Sequence, residues 1–200
     1  MKVGTKSVLF GAHCFLLHPW FVFAAWRQLY GFPLDPRLWL AFAVHDLGYL
    51  GKPNMDGPEG ERHTDLGARI MSVAFGKRWG DFCRYHSRYA AKRDGRKPSR
   101  LCSADKLAIA LTPAWLYLPM ARLTGELSEY MSRAKVRAAN NERLSAEERR
   151  RVNSESAALW YSGVQAYMRR WVEAHKDGAA DTWTASAAGR QPLNDEGVWK

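Results

Sequence analysis

Histidine and aspartate are the residues of this sequence whose types and spacing indicate chemistry. Six histidines occur in 200 residues, and one of them, His45, is followed directly by Asp46. Zinc, iron and manganese all accept imidazole nitrogens and carboxylate oxygens as ligands, and the Asp46 carboxylate could bridge two ions. The candidate metal ligands, in chain order, are His18, His45, Asp46, His63, His86 and Asp105.

Successive candidates are separated by about the length of one helix and one turn. Helices of an antiparallel bundle could therefore each bring one ligand into the same layer of the fold. If these groups meet inside an apolar bundle, each unpaired polar group costs about 1 to 3 kcal/mol or more. Bound metal ions would remove that cost, so the sequence favours a metal centre over a set of unrelated helix caps.

Two further histidines have simpler interpretations. His13 lies five residues before His18, so on a continuous helix it would point about 140° away from it. We expect His13 to lie in the core or behind the ligands. His175 is near the end of a predicted helix, where a positive charge interacts favourably with the helix dipole.

The elements that must position these residues are helices, because apolar residues recur at helical spacing and no segment alternates as a β-strand does. Asp35 and the capping box at 145–148 predict helix starts, while Gly76 and Gly178 predict helix ends. Pro113 is expected to break or kink its helix. The predicted helices cover about residues 6–16, 18–30, 36–46, 64–75, 78–91, 100–117, 120–138 and 154–177, and the capping box predicts a further helix start at 145–148.

The composition fits one all-α domain. With 46% apolar residues, a chain of this length can bury a single core. We expect one helical bundle over residues 1–176, ending in a long amphipathic helix. Residues 177–200 are small and polar without a helical period, and are expected to form a mobile tail that Trp183 or Trp199 could attach to the body.

The cysteine and hydropathy patterns predict a cytoplasmic protein. The three cysteines form no CxxC pair, so neither a disulfide framework nor a structural zinc site is indicated. The apolar stretch at 8–26 contains His13, His18 and Pro19, which argues against a signal peptide or a membrane span. We therefore expect a reducing compartment and no membrane partner.

A formal net charge of +10 predicts an acidic partner. Aromatic residues are not interleaved with the basic run at 92–100 as a single-strand stacking surface would require. A small phosphorylated ligand is therefore favoured, and nucleic acid stays open as an alternative. Aromatic residues on the long C-terminal helix could form a homodimer face as readily as a core.

Five segments together resemble the HD-domain superfamily of metal-dependent phosphohydrolases. They are "HPWFVFAA" (18–25), "AFAVHDLGYLGK" (41–52), "ERHTDLGARI" (61–70), "YHSR" (85–88) and "CSADKLA" (102–108). The resemblance implies an HD-type helical bundle in which one metal ion is held by His18, His45, Asp46 and Asp105. It also implies a second ion held by His63 and His86, with Asp46 bridging.

The subfamily stays open. In alarmone hydrolases an acidic pair follows the His-Asp doublet, which here is His45 and Asp46. The segment "HDLGYLGK" lacks that acidic pair. The glycine-tyrosine-proline signature of the cyclic-di-GMP phosphodiesterases is also missing from the sequence.

The resemblance implies a phosphohydrolase or phosphodiesterase that acts on a small phosphorylated compound, most plausibly a nucleotide. Two ions of manganese, iron, zinc, cobalt or nickel would polarise a phosphoryl oxygen and convert water into hydroxide at neutral pH. The predicted catalytic residues are Asp46, Lys52, Arg88 and Lys106. The three cations stand next to the candidate ligands in the chain and would hold the non-reacting oxygens of the substrate.

Two alternatives use the same residues. Some proteins of the HD fold hold two irons in mixed valence and activate dioxygen, and the ligand spacing does not distinguish them from hydrolases. A basic module that binds a nucleotide or nucleic acid around structural metal is the other alternative, because of the +10 charge.

Overall fold

The computed structural model describes residues 1–139, 141–142 and 144–183. These residues contain eleven α-helices and two short 3-10 turns, joined by turns and loops. No β-strand occurs in these ranges, so the prediction of a single all-α domain is confirmed. The 3-10 turns are Leu47–Tyr49 and Gly60–Arg62. The helices are α1 Val3–Phe10, α2 His18–Tyr30, α3 Pro36–Val44, α4 Thr64–Phe75, α5 Lys77–Arg84, α6 Arg88–Arg93, α7 Arg100–Leu111, α8 Ala114–Thr124, α9 Glu126–Ala139, α10 Ala146–Val152 and α11 Ala157–His175.

Several helix ends follow the local signals in the sequence. The Asp35 carboxylate accepts a hydrogen bond from the Arg37 backbone N–H at 3.0 Å and caps α3. Ser145 and Glu148 form both bonds of the predicted capping box at α10. Gly76, with φ of +85°, ends α4. These caps satisfy backbone groups that a helix terminus leaves unpaired.

The predicted helix at 6–16 is wrong over its second half, since α1 ends at Phe10 and residues 11–17 form turns. The carboxylate of Glu126, on α9, accepts a hydrogen bond from the Ala12 backbone N–H at 2.6 Å. A side chain added at Gly11 would lie 2.2 Å from the same carboxylate. A contact with a residue more than 100 positions away therefore shapes this turn.

The predicted helix at 78–91 is split into α5 and α6, with residues 85–87 between them. Ser87 caps α6 by accepting a hydrogen bond from the Ala90 backbone N–H at 3.2 Å. The predicted helix at 100–117 ends at Leu111 because Pro113 forms the N-cap of α8. The predicted gap near residue 119 lies inside α8, and Gly125, with φ of +87°, separates α8 from α9.

The main core lies between α2, α3, α4, α7 and α11. Eight of the twelve residues of α7 are buried, so this helix is at the centre of the domain. On α4 the buried positions include Gly67, Ala68 and Met71, whereas the apolar residues Leu66 and Val73 are exposed. Small residues on the inner face let α4 lie close to the end of α3.

A second core joins α8 through α11, where the rings of Tyr117 and Tyr161 stack with centroids 4.2 Å apart. The long C-terminal helix expected from the sequence is α11, and its Trp160, Tyr161 and Trp171 side chains are buried in these cores. They therefore belong to the interior rather than to a surface for a second copy.

Part of the segment expected to be a mobile tail packs on the body. The buried Asp181 carboxylate accepts hydrogen bonds from Arg88 Nε and Trp171 Nε1, both at 3.1 Å. Residues 184–200, including Trp199, lie outside the described residues. Among the described helices, none combines the length and the apolar composition that crossing a bilayer requires.

Candidate metal centre

All six candidate ligands are buried and lie together at one end of the main core. His18 is the first residue of α2, His45 and Asp46 follow α3, and Asp105 is in the middle of α7. The other two histidines come from irregular backbone, next to the start of α4 and between α5 and α6. The ligand atoms form two groups, His18 with His45, Asp46 and Asp105, and Asp46 with His63 and His86, and lie within 4.8 Å of one another in each group.

Asp46 belongs to both groups because its two oxygens point in different directions. Oδ2 lies 3.2 Å from His45 Nε2 and 3.4 Å from His18 Nε2. Oδ1 lies 3.2 Å from His86 Nε2 and 3.8 Å from His63 Nε2. Each group is therefore faced by a different oxygen of Asp46.

The backbone determines which nitrogen of three imidazole rings carries a proton. His45 Nδ1 lies 3.0 Å from the Phe42 carbonyl oxygen, and the corresponding Nδ1–carbonyl distances are 2.7 Å for His63 and 2.5 Å for His86. A carbonyl oxygen only accepts hydrogen bonds, so each Nδ1 must be the donor. In the neutral ring, Nε2 is then left with a lone pair, which is the form that binds metal.

The Nε2 atoms face acceptors rather than donors. His63 Nε2 and His86 Nε2 are 3.1 Å apart, and His86 Nε2 also lies 3.2 Å from Asp46 Oδ1. His45 Nε2 is buried and forms no hydrogen bond, although Asp46 Oδ2 is nearby. Imidazole lone pairs and carboxylate oxygens that face one another in a protein interior are costly unless a proton or a metal ion lies between them. These buried imidazole and carboxylate groups could therefore hold metal ions.

The electrostatics of the cluster are those of a cation-binding site. Burial alone would raise the pKa of Asp46, but neighbouring His45 and His13 lower that pKa well below its usual range. Burial also acts to raise the pKa of Asp105, which Lys106 and His18 instead hold well below the usual range. Both carboxylates are therefore anionic and available as ligands.

Two of the histidines differ in their protonation. Burial and the nearby His86 lower the pKa of His63 to about 3, so its ring is neutral. For His45, burial acts to lower the pKa, but the Asp46 and Asp105 carboxylates outweigh it and raise the pKa to about 10. A proton and a metal ion thus compete for the same nitrogen of His45.

The predicted substrate-holding cations lie in different surroundings. The Lys106 ammonium is 2.8 Å from Asp105 Oδ2 and its side chain is partly exposed, so it is at the edge of the cluster. The Arg88 guanidinium faces away from the cluster, donating to Asp181 and to the Tyr167 hydroxyl and stacking over Trp171. Lys52 is half-exposed, and the structure does not bring its ammonium within ion-pair distance of Asp46 or Asp105.

His13 is closer to the centre than the sequence indicated. The angle expected for a continuous helix does not apply, because α1 ends before His13. His13 Nε2 lies 4.0 Å from Asp46 Oδ2, and its Nδ1 lies 2.9 Å from the hydroxyl oxygen of Ser7. That hydroxyl donates to the Glu126 carboxylate at 2.7 Å. His13 and Ser7 therefore link Asp46 to the buried Glu126 carboxylate on α9 through a series of polar contacts.

Tyr49 was also not identified from the sequence. Its ring is buried and stacks on His63 with centroids 4.2 Å apart and an interplanar angle of 6°. The stacking holds the His63 ring in the orientation that its Nδ1 hydrogen bond requires. The position of Tyr49, three residues after Asp46, was the available signal, but a single tyrosine in a glycine-rich segment does not indicate a partner.

Two glycines allow the ligand-bearing segments to approach each other. A Cβ atom at Gly48 would lie 1.7 Å from the His63 carbonyl oxygen. At Gly67, on α4, a Cβ atom would lie 2.7 Å from the Val44 carbonyl oxygen at the end of α3. The glycine after the His-Asp doublet is needed for close packing of the His63 backbone.

Comparison with known proteins returned no match to a protein-family model, to a curated protein or to a solved structure. The HD-domain resemblance therefore depends on the five sequence segments and on the order of the ligands.

Proposed function

We propose that this protein is a metal-dependent phosphoric ester hydrolase of the HD-domain type, acting on a nucleotide or a similar small phosphorylated compound. One observation carries the proposal: six buried candidate ligand residues converge, with the Asp46 carboxylate shared between two groups. The order of these ligands along the chain supports the same assignment, because it is the order in the HD-domain superfamily.

The residues present would hold two divalent cations, one with His18, His45, Asp46 and Asp105, the other with Asp46, His63 and His86. Such ions supply Lewis acidity toward a phosphoryl oxygen and lower the pKa of a bound water toward neutrality. Asp46 would be a ligand of both ions. The backbone carbonyls of Phe42, Gly60 and Cys83 keep the histidine rings in the ligating tautomer.

Lys106 is the cation best placed to contact the substrate. Its ammonium is held by Asp105 at 2.8 Å, and the side chain is one-fifth exposed, so it has N–H donors left for a phosphate oxygen. Lys52 is a second candidate, if its side chain turns toward a bound anion. Arg88 has no part in the proposal, because its guanidinium is bound by Asp181 and Tyr167.

The proposal is tested by stripping the protein of metal, reloading it separately with manganese, iron or zinc, and measuring phosphate or ester release from a nucleotide panel. We expect release by at least one metal form, and none by the Asp46→Asn variant under the same conditions. Loaded protein that releases nothing from any nucleotide would contradict the proposal.

The same preparations separate the two alternatives. Iron bound in mixed valence, detected by electron paramagnetic resonance and accompanied by oxygen uptake, would indicate an oxygenase instead of a hydrolase. If no form shows turnover and Asp46→Ala leaves nucleotide or nucleic-acid affinity intact, the protein is a binding module.

A further inference from the structure

An apolar surface on the outer side of α2 and α3 has no role in the metal centre. The rings of Phe23 and Trp39 stack with centroids 4.8 Å apart. Trp20 lies 6.4 Å from Trp39, and Phe32 lies 6.0 Å from Phe23, so four rings form one cluster. We call this surface the aromatic face, and we include in it the exposed Leu16 and Leu34, which come just before and just after α2 in the chain. Its residues are Leu16, Trp20, Phe23, Phe32, Leu34 and Trp39.

Most of the aromatic face is exposed. The exposed fraction is 62% for Trp20, 60% for Phe32, 63% for Leu16 and 86% for Leu34. Single exposed apolar residues are ordinary, but a contiguous patch of large ones marks a surface that binds a partner. The aromatic face is therefore a docking surface, and its chemistry indicates the partner.

An exposed cation, Arg27, lies beside the aromatic face, whereas Arg37 is held in an ion pair by Asp35. Arg27 is exposed, two helical turns beyond Trp20 on the same side of α2. The whole chain has a net charge of +10. An anionic partner complements this surface.

A second copy of the chain is a poorer partner than a lipid surface. A two-fold contact through the aromatic face would bring the same cations of two strongly positive molecules together. An anionic bilayer instead attracts the cations and accepts the apolar side chains. Indole rings are also the side chains that favour the headgroup level of a membrane.

We propose that the aromatic face docks this protein on anionic lipid surfaces, with Trp20 and Trp39 at headgroup level and Arg27 beside the lipid phosphates. Docking of this kind lies on the bilayer and needs no spanning helix. It replaces the sequence-based expectation of no membrane partner. The proposal does not depend on the proposed hydrolase activity.

The two helices that form the aromatic face also position two of the candidate metal ligands. Helix α2 begins with His18, and α3 ends just before His45. A narrow, mainly apolar cleft is lined by the exposed Leu17, by His18 and by Met120, among others. A docked molecule would therefore have its metal centre about one helix thickness, roughly 10 Å, from the lipid.

Co-sedimentation of the full chain with vesicles tests the proposal. We use vesicles of phosphatidylcholine alone and of phosphatidylcholine mixed with phosphatidylglycerol. We expect the protein to sediment with the mixed vesicles and to be released by salt, because exposed charges are screened. The Leu16→Ser/Leu34→Ser variant should partition about tenfold less, because two apolar side chains no longer enter the interface.

The matched control is Val136→Ser/Leu159→Ser. It also removes two exposed aliphatic side chains, 47% and 53% exposed, without changing charge, but on α9 and α11. It should sediment as the wild type does, and circular dichroism should give equal helix content for all three proteins.

Three results would overturn the proposal. They are wild-type protein that stays in solution with the mixed vesicles, equal binding to both kinds of vesicle, and equal loss in both double variants. A stable dimer in light scattering that Leu16→Ser/Leu34→Ser dissociates would assign the aromatic face to a second copy, which also overturns it. Each readout is independent of metal loading and turnover.

Discussion

At the scale of single residues, Asp46 joins the two groups of the candidate metal centre, because each of its two oxygens faces a different group. Oδ2 faces His18 and His45, while Oδ1 faces His63 and His86. A neutral amide of the same shape would remove the charge shared by both sides and replace one ligand oxygen by an N–H donor. Asp46 is therefore the residue whose substitution should affect both ions.

We expect Asp46→Asn to lose both ions, because neither group keeps its shared carboxylate. His63→Ala removes a ligand of one group alone, so that variant should keep the ion held by His18, His45 and Asp105. Metal content per chain, measured by plasma mass spectrometry after dialysis, distinguishes the two variants. Asp46→Asn that retains as much metal as the wild type would rule out the shared-ligand arrangement.

A second residue-scale prediction concerns Glu126, which is fully buried. Its carboxylate accepts hydrogen bonds from the Ser7 hydroxyl, the Ala12 backbone N–H and the Thr124 hydroxyl. Glu126→Ala leaves these donors without an acceptor, so the free energy of unfolding should fall by about 3 kcal/mol. Urea denaturation measures the change.

Glu155→Ala is the control for Glu126, because the Glu155 side chain is 87% exposed in its ion pair with Lys135, and exposed pairs contribute little. The pH dependence gives a second check. Burial acts to raise the pKa of Glu126, but His13 and the hydrogen bonds bring it below its usual 4.5. Its stabilisation is therefore complete above pH 4.5 and is lost as the pH falls through the folded-state pKa. A Glu126→Ala variant as stable as Glu155→Ala would show that the carboxylate is not needed.

At the scale of elements, breaks between helices place the ligands as much as the helices do. The sequence predicted one helix over 78–91, whereas His86 lies in the break between α5 and α6. Its Nδ1 bonds to the Cys83 carbonyl oxygen three residues earlier. His63 similarly bonds to Gly60 from the turn that precedes α4. Irregular backbone thus orients ligands that a continuous helix would direct elsewhere.

Gly48→Ala tests this arrangement. The added Cβ would meet the His63 carbonyl oxygen at 1.7 Å, so the turn after Asp46 and the start of α4 must separate. We expect a loss of about 3 kcal/mol in the free energy of unfolding, together with weaker metal binding in a titration followed by calorimetry.

The control is Gly31→Ala, where a Cβ would meet nothing within 4 Å but φ is +82°. That variant should lose about 1 kcal/mol from backbone strain alone and bind metal as the wild type does. Unchanged metal binding by Gly48→Ala would indicate that the close approach of these backbones does not position His63.

At the scale of the whole molecule, the metal centre joins segments that are far apart in the chain. His18 and Asp105 are separated by 87 positions, yet His18 Nε2 and Asp105 Oδ1 are 3.0 Å apart. Helices α2 and α7 pack along each other through the main core. Ions held between such segments bind the folded chain and not the unfolded one, so they should stabilise the entire domain.

We therefore expect the thermal midpoint to rise when manganese or zinc is added to metal-free protein. At a free metal concentration 100 times Kd, the free energy of unfolding should increase by about 2.7 kcal/mol for one site. Calorimetry measures the shift, and Asp46→Asn should show little of it. A midpoint that is identical with and without metal in the wild type would contradict a metal centre that bridges α2 and α7.

The sequence by itself determined the helical class, several caps and the set of candidate ligands, because helical periodicity, capping residues and ligand chemistry are local properties of the chain. Tertiary structure decided the separation of α5 from α6, the approach of His13 to Asp46 and the pairing of Arg88 with Asp181. The last two depend on distant partners, since Glu126 shapes the turn that carries His13 and Asp181 binds Arg88. The exposure of the aromatic face was decided in the same way. The apolar residues on α2 and α3 predict burial, but the packing of the other helices leaves one side of this pair uncovered.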